Sequence, residues 1–267
     1  MMKNITMGQF YPVDSLVHRL DPRMKIILAA MLIVSVFLVR GLLGYGLVLA
    51  FVYLSARLSN VPFRMLLGGL KPLRFILILT FLLNLFFNNG QTVLLHWQFI
   101  TLTAEGLSTA VHYSLRLTFL VLGTSLLTLT TSPVALADGI ELLFGPLKRI
   151  HFPAHELAMM MTIALRFIPT LMEETDKIMK AQMARGADFE SGNLIARAKA
   201  MIPLLVPLFV SAFRRAGDLA MAMEARCYHG GESRTRLRVL RMTRNDYLAL
   251  GATALLTALI VLEGLMV

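Results

Sequence analysis

The chain has 267 residues, of which 57% are hydrophobic and 16% are charged. Because roughly a quarter of the residues in soluble domains are charged, this composition excludes an ordinary soluble domain and indicates an integral membrane protein. The net charge of +10 favours anionic lipid headgroups over nucleic acid as the partner of so apolar a chain. The single cysteine excludes an intramolecular disulfide, and the six histidines show no zinc-binding pattern.

Five apolar runs follow one another along the chain, and each predicts a membrane-spanning helix. They cover residues 26–39, 42–56, 73–87, 104–131 and 247–265. Some are shorter than the roughly 20 residues that a perpendicular span requires, so we expect snorkelling ends or a locally thinner bilayer. The predicted fold is an all-α integral membrane protein with about five transmembrane helices and a coupling domain of long crossed helices.

The basic residues orient these spans. No Lys or Arg occurs from residue 75 to 115, whereas four lie between 57 and 74 and sixteen between 133 and 245. By the positive-inside rule the N-terminus and residues 133–245 are cytoplasmic, and the loop at 88–91 and the C-terminus are outside. Two arginines depart from this pattern, Arg40 at an outer turn and Arg116 inside the fourth span. An intramembrane arginine is a functional candidate, although a buried structural partner explains Arg116 equally well.

Several kinds of transport chemistry are missing from the sequence. No Asp or Glu occurs between residues 22 and 104, which argues against a self-sufficient carrier driven by protons or sodium. No lysine is followed by Ser or Thr, so a Walker A motif is absent. No catalytic constellation of Ser, His and Asp or of paired carboxylates stands out. If this chain takes part in energised transport, ATP is bound and hydrolysed by another chain.

Two long helices are predicted within residues 133–245, and each ends in an Ala-Arg pair. Residues 154–184 predict a helix of about 45 Å that Gly186 ends through a left-handed cap, with Arg185 in the last turn. A second helix ends at Glu224-Ala225-Arg226-Cys227-Tyr228-His229, before Gly230-Gly231. A cation in a last turn also has an ordinary explanation, since it complements the helix dipole. Two matched pairs make a functional role the better interpretation.

The same two helices carry residues suited to a partner surface. Small residues at four-residue spacing would let another helix approach closely, and flexible methionines suit a surface that repacks against different partners, although a methionine-rich stretch is more often ordinary packing. The predicted interface residues are Met172, Met179, Met183, Ala212, Ala216, Ala220 and Met223.

Taken together, these motifs resemble the transmembrane T component, EcfT, of energy-coupling factor transporters, a branch of the ABC importers. The resemblance rests on Gly8-Gln9-Phe10 with Pro12 and Ser15, His18-Arg19-Leu20-Asp21-Pro22-Arg23 with Lys25, Arg166-Phe167-Ile168-Pro169 with Glu173, Ala181-Gln182 with Ala184-Arg185-Gly186, and Ala220-Met221 with Ala225-Arg226. Cys227 departs from the family pattern, which usually has a small residue such as Gly or Ser there.

The resemblance implies a non-catalytic subunit in the cell membrane of a prokaryote. Two cytoplasmic ATPases, which bind ATP and Mg²⁺, would contact Ala184, Arg185, Gly186, Ala225, Arg226 and Cys227. A small membrane subunit would bind a vitamin or another micronutrient and rest on the crossed helices, and the N-terminal pattern resembles the branch that serves several such subunits. The domains expected are 1–132 with four spans, the coupling domain 133–245, and the last span 246–267.

Two other functions remain open from the residues. A conventional ABC permease subunit would need a substrate path of its own, and these spans offer few polar residues beyond Asn84 and Arg116. A membrane-embedded enzyme would need convergent titratable groups. Co-purification separates the three: two ATPases with a small membrane protein indicate coupling, ATPases alone a permease, and no ATPase an enzyme.

The topology is testable by cysteine labelling in a Cys227→Ser background. A cysteine at Asn89 should react with a membrane-impermeant thiol reagent added to intact cells, because the loop that carries it follows a span free of basic residues. A cysteine at Glu190 should react only after the membrane is permeabilised. The reverse labelling pattern would invert the topology.

Overall fold

The computed structural model describes residues 10–87, 92–97, 100–146, 153–189, 193–230 and 240–266. The chain divides into two compact units. Unit 1 comprises Met1–Ile140 and Val239–Val267, and unit 2 comprises Glu141–Arg238. Residues 89 and 190, and Gly8 and Gln9 of the family pattern, lie outside the described residues.

Helices make up most of the described chain. In chain order they are α1 (Pro22–Leu38), α2 (Leu42–Leu58), α3 (Phe63–Gly68), α4 (Arg74–Phe87), α5 (Ala104–Thr130), α6 (Pro133–Phe144), α7 (Ala154–Ala184), α8 (Leu194–Ala200), α9 (Ile202–Glu224) and α10 (Arg244–Met266). An antiparallel hairpin, β1 (Val93–Trp97) and β2 (Ile100–Thr103), precedes α5. The hairpin was not expected from the sequence.

The predicted all-α membrane fold is confirmed, because every one of the five apolar runs is helical, in α1, α2, α4, α5 and α10. Among the described residues, three segments are long and apolar enough to cross a membrane: Ala104–Thr130, Arg197–Glu224 and Arg244–Met266. Helices α2 and α4 are apolar but shorter, at 17 and 14 residues. The segment Arg197–Glu224 falls within residues 133–245, whose cytoplasmic location stays a prediction.

Helix α1 begins at a capped turn. The Asp21 side chain precedes Pro22 and accepts a hydrogen bond from the backbone N–H of Arg23 at 2.9 Å. The Arg23 guanidinium binds the same carboxylate, with Nη2 at 2.9 Å from Oδ2. Burial raises the pKa of the Asp21 carboxyl, but the hydrogen bonds and charge of Arg23 outweigh burial and hold that pKa below its ordinary value. Asp21 and Arg23 therefore serve the start of α1 as a cap and its partner.

The apolar core of unit 1 lies where α1, α2, α5 and α10 meet. Val36 and Val48 are fully buried. Helix α5 approaches α1 so closely at Gly123 that a Cβ added there would lie only 2.9 Å from the Leu32 side chain. Helices α1 and α10 are also joined by a hydrogen bond between the hydroxyls of Ser35 and Thr257 at 2.8 Å. Small side chains at these positions let the helices approach closely, as in other membrane bundles.

A buried polar cluster joins the starts of α1 and α10. The Asp246 side chain is 0% exposed. Its Oδ1 accepts from the backbone N–H of Asp21 at 2.8 Å, and its Oδ2 accepts from the N–H of Thr243 at 2.6 Å and the Thr243 hydroxyl at 2.8 Å. Nearby, the Lys25 ammonium donates to the carbonyls of His18 and Thr130 at 3.0 and 2.9 Å. These bonds tie α1, the end of α5 and the start of α10 together.

Removing the Asp246 carboxylate should destabilise unit 1 strongly. In Asp246→Ala the buried N–H of Asp21 and the partly buried N–H of Thr243 lose their acceptor, and we expect a loss of about 3 kcal/mol in the free energy of unfolding. Asp14→Ala is the control, because the Asp14–Arg19 ion pair is 3.9 Å long with side chains 90% and 74% exposed, and such a pair is worth less than about 1 kcal/mol. Unfolding midpoints of the purified protein in detergent measure both. Equal midpoints for the two variants would contradict this role.

Candidate coupling site

Helix α7 ends in a Schellman motif. The N–H of Gly186 donates to the carbonyl of Met183, and the N–H of Ala187 donates to the carbonyl of Gln182, both at 3.0 Å. Gly186 has a φ of +87°, the left-handed conformation that this motif requires and that glycine adopts without strain. Arg185 is the residue immediately before this turn. The sequence had indicated this ending from Gly186 alone.

Helix α9 ends in the same motif without a glycine. The N–H of Cys227 donates to the carbonyl of Glu224 at 2.8 Å, and the N–H of Tyr228 donates to the carbonyl of Met223 at 3.0 Å. Cys227 takes the left-handed conformation, with a φ of +56°. The turn therefore lies at Cys227, ahead of the Gly230-Gly231 pair that the sequence suggested as the stop. Arg226 stands in the same position relative to this turn as Arg185 does in the first.

The residues of both Ala-Arg ends are accessible. The six predicted contact residues are all exposed: Ala184, Arg185, Gly186, Ala225, Arg226 and Cys227. Within the described ranges, neither Arg185 nor Arg226 forms an ion pair with a carboxylate. Each end thus presents a guanidinium to the solvent at the tip of a helix.

A charged contact joins α7 to α9 in unit 2. The Arg215 guanidinium binds the Glu174 carboxylate, with Nη2 at 2.9 Å from Oε2, and the Ser211 hydroxyl donates to the same carboxylate. The hydrogen bond from Ser211 lowers the pKa of the Glu174 carboxyl; partial burial opposes this, and the charge of Arg215 adds to it.

Further along, Gln182 Nε2 lies 3.4 Å from the carbonyl of Pro203. As the residue number increases along α7, the number of its partner in α9 decreases, so the two helices are antiparallel.

This pairing places the two arginine tips at opposite ends of the helix pair. Arg185 lies 11 residues beyond Glu174, and Arg226 lies 11 residues beyond Arg215. At 1.5 Å per residue each tip is about 16 Å along its own helix from the central ion pair. Sequence reasoning missed this contact. Its only signal was a pair of opposite charges, one in each helix.

The predicted interface residues divide between two environments. Four of them are half-buried: Met172, Met179, Ala212 and Met223. Three are exposed: Met183, Ala216 and Ala220. The hydrogen bonds from α9 to the Glu174 carboxylate of α7 come from Ser211 and Arg215, and Ala216 and Ala220 are exposed. Their role as an interface with another chain stays a prediction.

Helix α9 also exposes a broad apolar surface. Phe209 and Phe213 are 60% and 74% exposed, and Val206 and Val210 are more than half exposed. Such a surface is costly in water and marks contact with lipid or with another protein. This exposed surface explains why the segment has the hydropathy of a membrane span while almost none of it is buried.

Comparison with known proteins agrees with this architecture. Residues 14–237 match the family model CbiQ, described as cobalt transport protein. Three relatives bear the name energy-coupling factor transporter transmembrane protein EcfT. The relative from Clostridium kluyveri is 55% identical over 250 residues, 93% of each chain. That from Thermosediminibacter oceani is 56% identical over 255 residues, 96% of each chain, and that from Bacillus subtilis is 49% identical over 266 residues, 100% of this chain and 98% of the relative.

Matches of this length define the class of the protein, the transmembrane component of an energy-coupling factor transporter. The chain belongs to the CbiQ family and, within it, to the EcfT proteins.

Both turns require a left-handed residue, so exchanging glycine for another residue should change the free energy of unfolding in opposite directions at Gly186 and Cys227. Gly186→Ala should lower the free energy of unfolding of unit 2 by about 1 kcal/mol, because the left-handed conformation disfavours a Cβ. Among the described residues, and apart from the neighbours of Gly186 in the chain, no atom lies within 4 Å of the position of that Cβ, so the cost comes from the backbone conformation. Cys227→Gly should raise the free energy of unfolding by a similar amount.

Gly217→Ala is the control for these variants. Gly217 also has open space around its Cβ position but lies inside α9, so the added methyl should stabilise the helix by about 0.8 kcal/mol. Denaturant unfolding followed by circular dichroism measures all three. A stabilising effect of Gly186→Ala would contradict the assigned turn.

Proposed function

We propose that this chain is the coupling subunit of an energy-coupling factor importer. Two cytoplasmic ATPases bind the two ends of the α7–α9 pair, one at Ala184, Arg185 and Gly186 and the other at Ala225, Arg226 and Cys227. The observation that supports this most directly is the pair of matching Schellman ends, each presenting an exposed arginine that has no carboxylate partner in the described part of the chain.

The chemistry of the helix ends supports a role for arginine beyond capping. Backbone N–H groups already bond the carbonyls of Gln182 and Met183 at one end and of Met223 and Glu224 at the other. The arginine side chains are therefore not needed for these carbonyls. A guanidinium presents a planar fork of donors that binds a carboxylate or two carbonyl oxygens at once, which suits a groove on a partner.

The central contact of the pair supports transmission of movement. Glu174 with Arg215 and Ser211 holds α7 against α9 about midway between the tips. A displacement imposed by an ATPase at one end is then carried to the other end through packed helices. We propose that ATP-driven movement of the ATPases tilts the pair and with it a bound membrane subunit. ATP and Mg²⁺ belong to the ATPases and not to this chain.

The exposed surface of α9 supports docking of a substrate-binding membrane subunit. Phe209 and Phe213 offer apolar area, and Ala216 and Ala220 allow a helix to approach closely. Met172, Met179, Met183 and Met223 would adjust the surface to different subunits. The micronutrient is then bound by that subunit, so one module serves several substrates, vitamins among them.

Charge reversal at the tips tests the proposal. Arg185→Glu with Arg226→Glu should abolish recovery of the ATPases with the tagged chain and abolish ATP-dependent uptake, with each single change weaker. Losing one partner of a buried charged contact commonly costs about 2–5 kcal/mol, against about 0.3–1 kcal/mol for a helix-dipole contact. Lysine at both positions should rescue only partly, because it lacks the planar fork.

The matched control is Arg197→Glu with Arg214→Glu, which makes the same change in net charge at two other exposed positions of unit 2. It should retain the ATPases and uptake. Immunoblots of membranes establish equal abundance. Near-normal uptake by the double variant at the tips, at wild-type abundance, would reject the coupling role.

A further inference from the structure

A second cationic site lies in unit 1, formed by the two arginines that depart from the positive-inside pattern. They border an open cavity of about 270 Å³ whose lining residues are Arg40, Ser108, Thr109, His112, Tyr113 and Arg116. The coupling role uses none of these residues. Arg40, Ser108 and Tyr113 are exposed, so the cavity is accessible from outside the protein.

Arg116 is held in a fixed position beside the cavity. Its guanidinium carbon lies 5.6 Å from the centre of the Phe37 ring and 5.5 Å from that of the Tyr113 ring, within the range of cation–π contacts. One Nη donates a long hydrogen bond of 3.4 Å to the carbonyl of Val39, and the buried Nε has no hydrogen-bond partner in the described part of the chain. A buried N–H donor left without an acceptor is unusual. Aromatic contacts and one long hydrogen bond thus hold the Arg116 guanidinium, which has no carboxylate partner among the described residues.

Arg40 supplies a second cation that is equally available. Its Nη1 makes a single long bond of 3.4 Å to the carbonyl of Gly264. Across the described residues, no carboxylate lies within ion-pair distance of Arg40 or Arg116. Glu263, at the same end of unit 1, directs its Oε1 to the backbone N–H of Gly44 at 3.1 Å instead.

His112 forms a wall of the cavity. Its Nδ1 lies 2.7 Å from the carbonyl oxygen of Ser108, and its Nε2 lies 3.1 Å from the carbonyl oxygen of Arg40. The ring therefore ties the Arg40 turn to α5 and keeps the two arginines on one side of the bundle. The hydroxyls of Ser108 and Tyr113 add polar groups to the opening.

The position of the cavity along α1 places it at a membrane boundary. Helix α1 has 17 residues and is about 25 Å long, close to the thickness of the hydrocarbon layer. Lys25 lies near one end of α1, and Val39, which Arg116 contacts, lies just past the other. On the topology predicted from the basic residues, this second end faces the outer leaflet.

We propose that Arg40 and Arg116 bind a phosphate group in this cavity, supplied by the headgroup of an anionic phospholipid. Two guanidiniums that have no carboxylate partner among the described residues match the charge of a phosphate, and the planar fork of each can bind two phosphate oxygens. The apolar side chains beside the site are themselves exposed, with Phe37 at 56% and Leu42 at 64%, and they offer a surface for the acyl chains. The bound lipid would fix the turn between α1 and α2 at the outer face.

Lipid titration of the full chain in a neutral detergent tests this site by native mass spectrometry. Dioleoylphosphatidylglycerol should bind the wild-type chain about tenfold more tightly than it binds Arg40→Gln with Arg116→Gln, because two charge-assisted contacts are lost. Dioleoylphosphatidylcholine should show no such difference. Arg57→Gln is the matched control, because Arg57 is an arginine at the other end of α2 whose Nε donates to the Tyr53 hydroxyl.

A second arm identifies the source of the phosphate. Inorganic phosphate alone is titrated while the unfolding midpoint is followed. A rise in midpoint that the double variant abolishes would support the phosphate site but assign it to the free ion. Equal phosphatidylglycerol affinity in wild type and double variant, with no effect of inorganic phosphate, would overturn the proposal. If the double variant does not fold, Arg40→Gln alone decides the same comparison, since its side chain is exposed.

Discussion

The buried carboxylate of Asp246 constrains the whole of unit 1. A charged group in an apolar bundle must have its hydrogen bonds satisfied, and Asp246 meets this requirement only when the starts of α1 and α10 lie together. These two helices stand near opposite ends of the sequence, and all of unit 2 lies between them along the chain. The N-terminal and C-terminal helices thus close one body, and unit 2 is an insertion into it along the chain.

Unit 2 uses a charged contact for a different purpose. Glu174 and Arg215 join α7 to α9 near the middle of the pair. The apolar surface of α9 is therefore not needed for this contact. That surface remains exposed, with Phe213 as its most exposed aromatic residue. The α7–α9 pair therefore has a charged contact near its centre, an exposed apolar surface on α9 and matching turns at its two ends.

The arginines of this chain illustrate how one residue type takes several roles. Arg23 and Arg215 are each bound to a carboxylate at 2.9 Å. Arg116 lies between two aromatic rings, and Arg185 and Arg226 reach solvent at helix ends. The sequence shows an arginine in every case. Only the neighbouring groups distinguish an arginine that is bound to a carboxylate from one whose guanidinium can bind another molecule.

The sequence by itself determined the apolar helices and the ending of α7, because hydrophobic periodicity and the conformational preference of glycine are local properties. Tertiary structure decided the left-handed turn at Cys227, which no residue preference announces, and the antiparallel match of Glu174 with Arg215. It also decided that Ala216 and Ala220 are exposed whereas Ala212 is half-buried, although the three alanines follow one another at four-residue spacing. Contacts between residues far apart in sequence depend on how helices are rotated and aligned, and helical periodicity carries no information on that alignment.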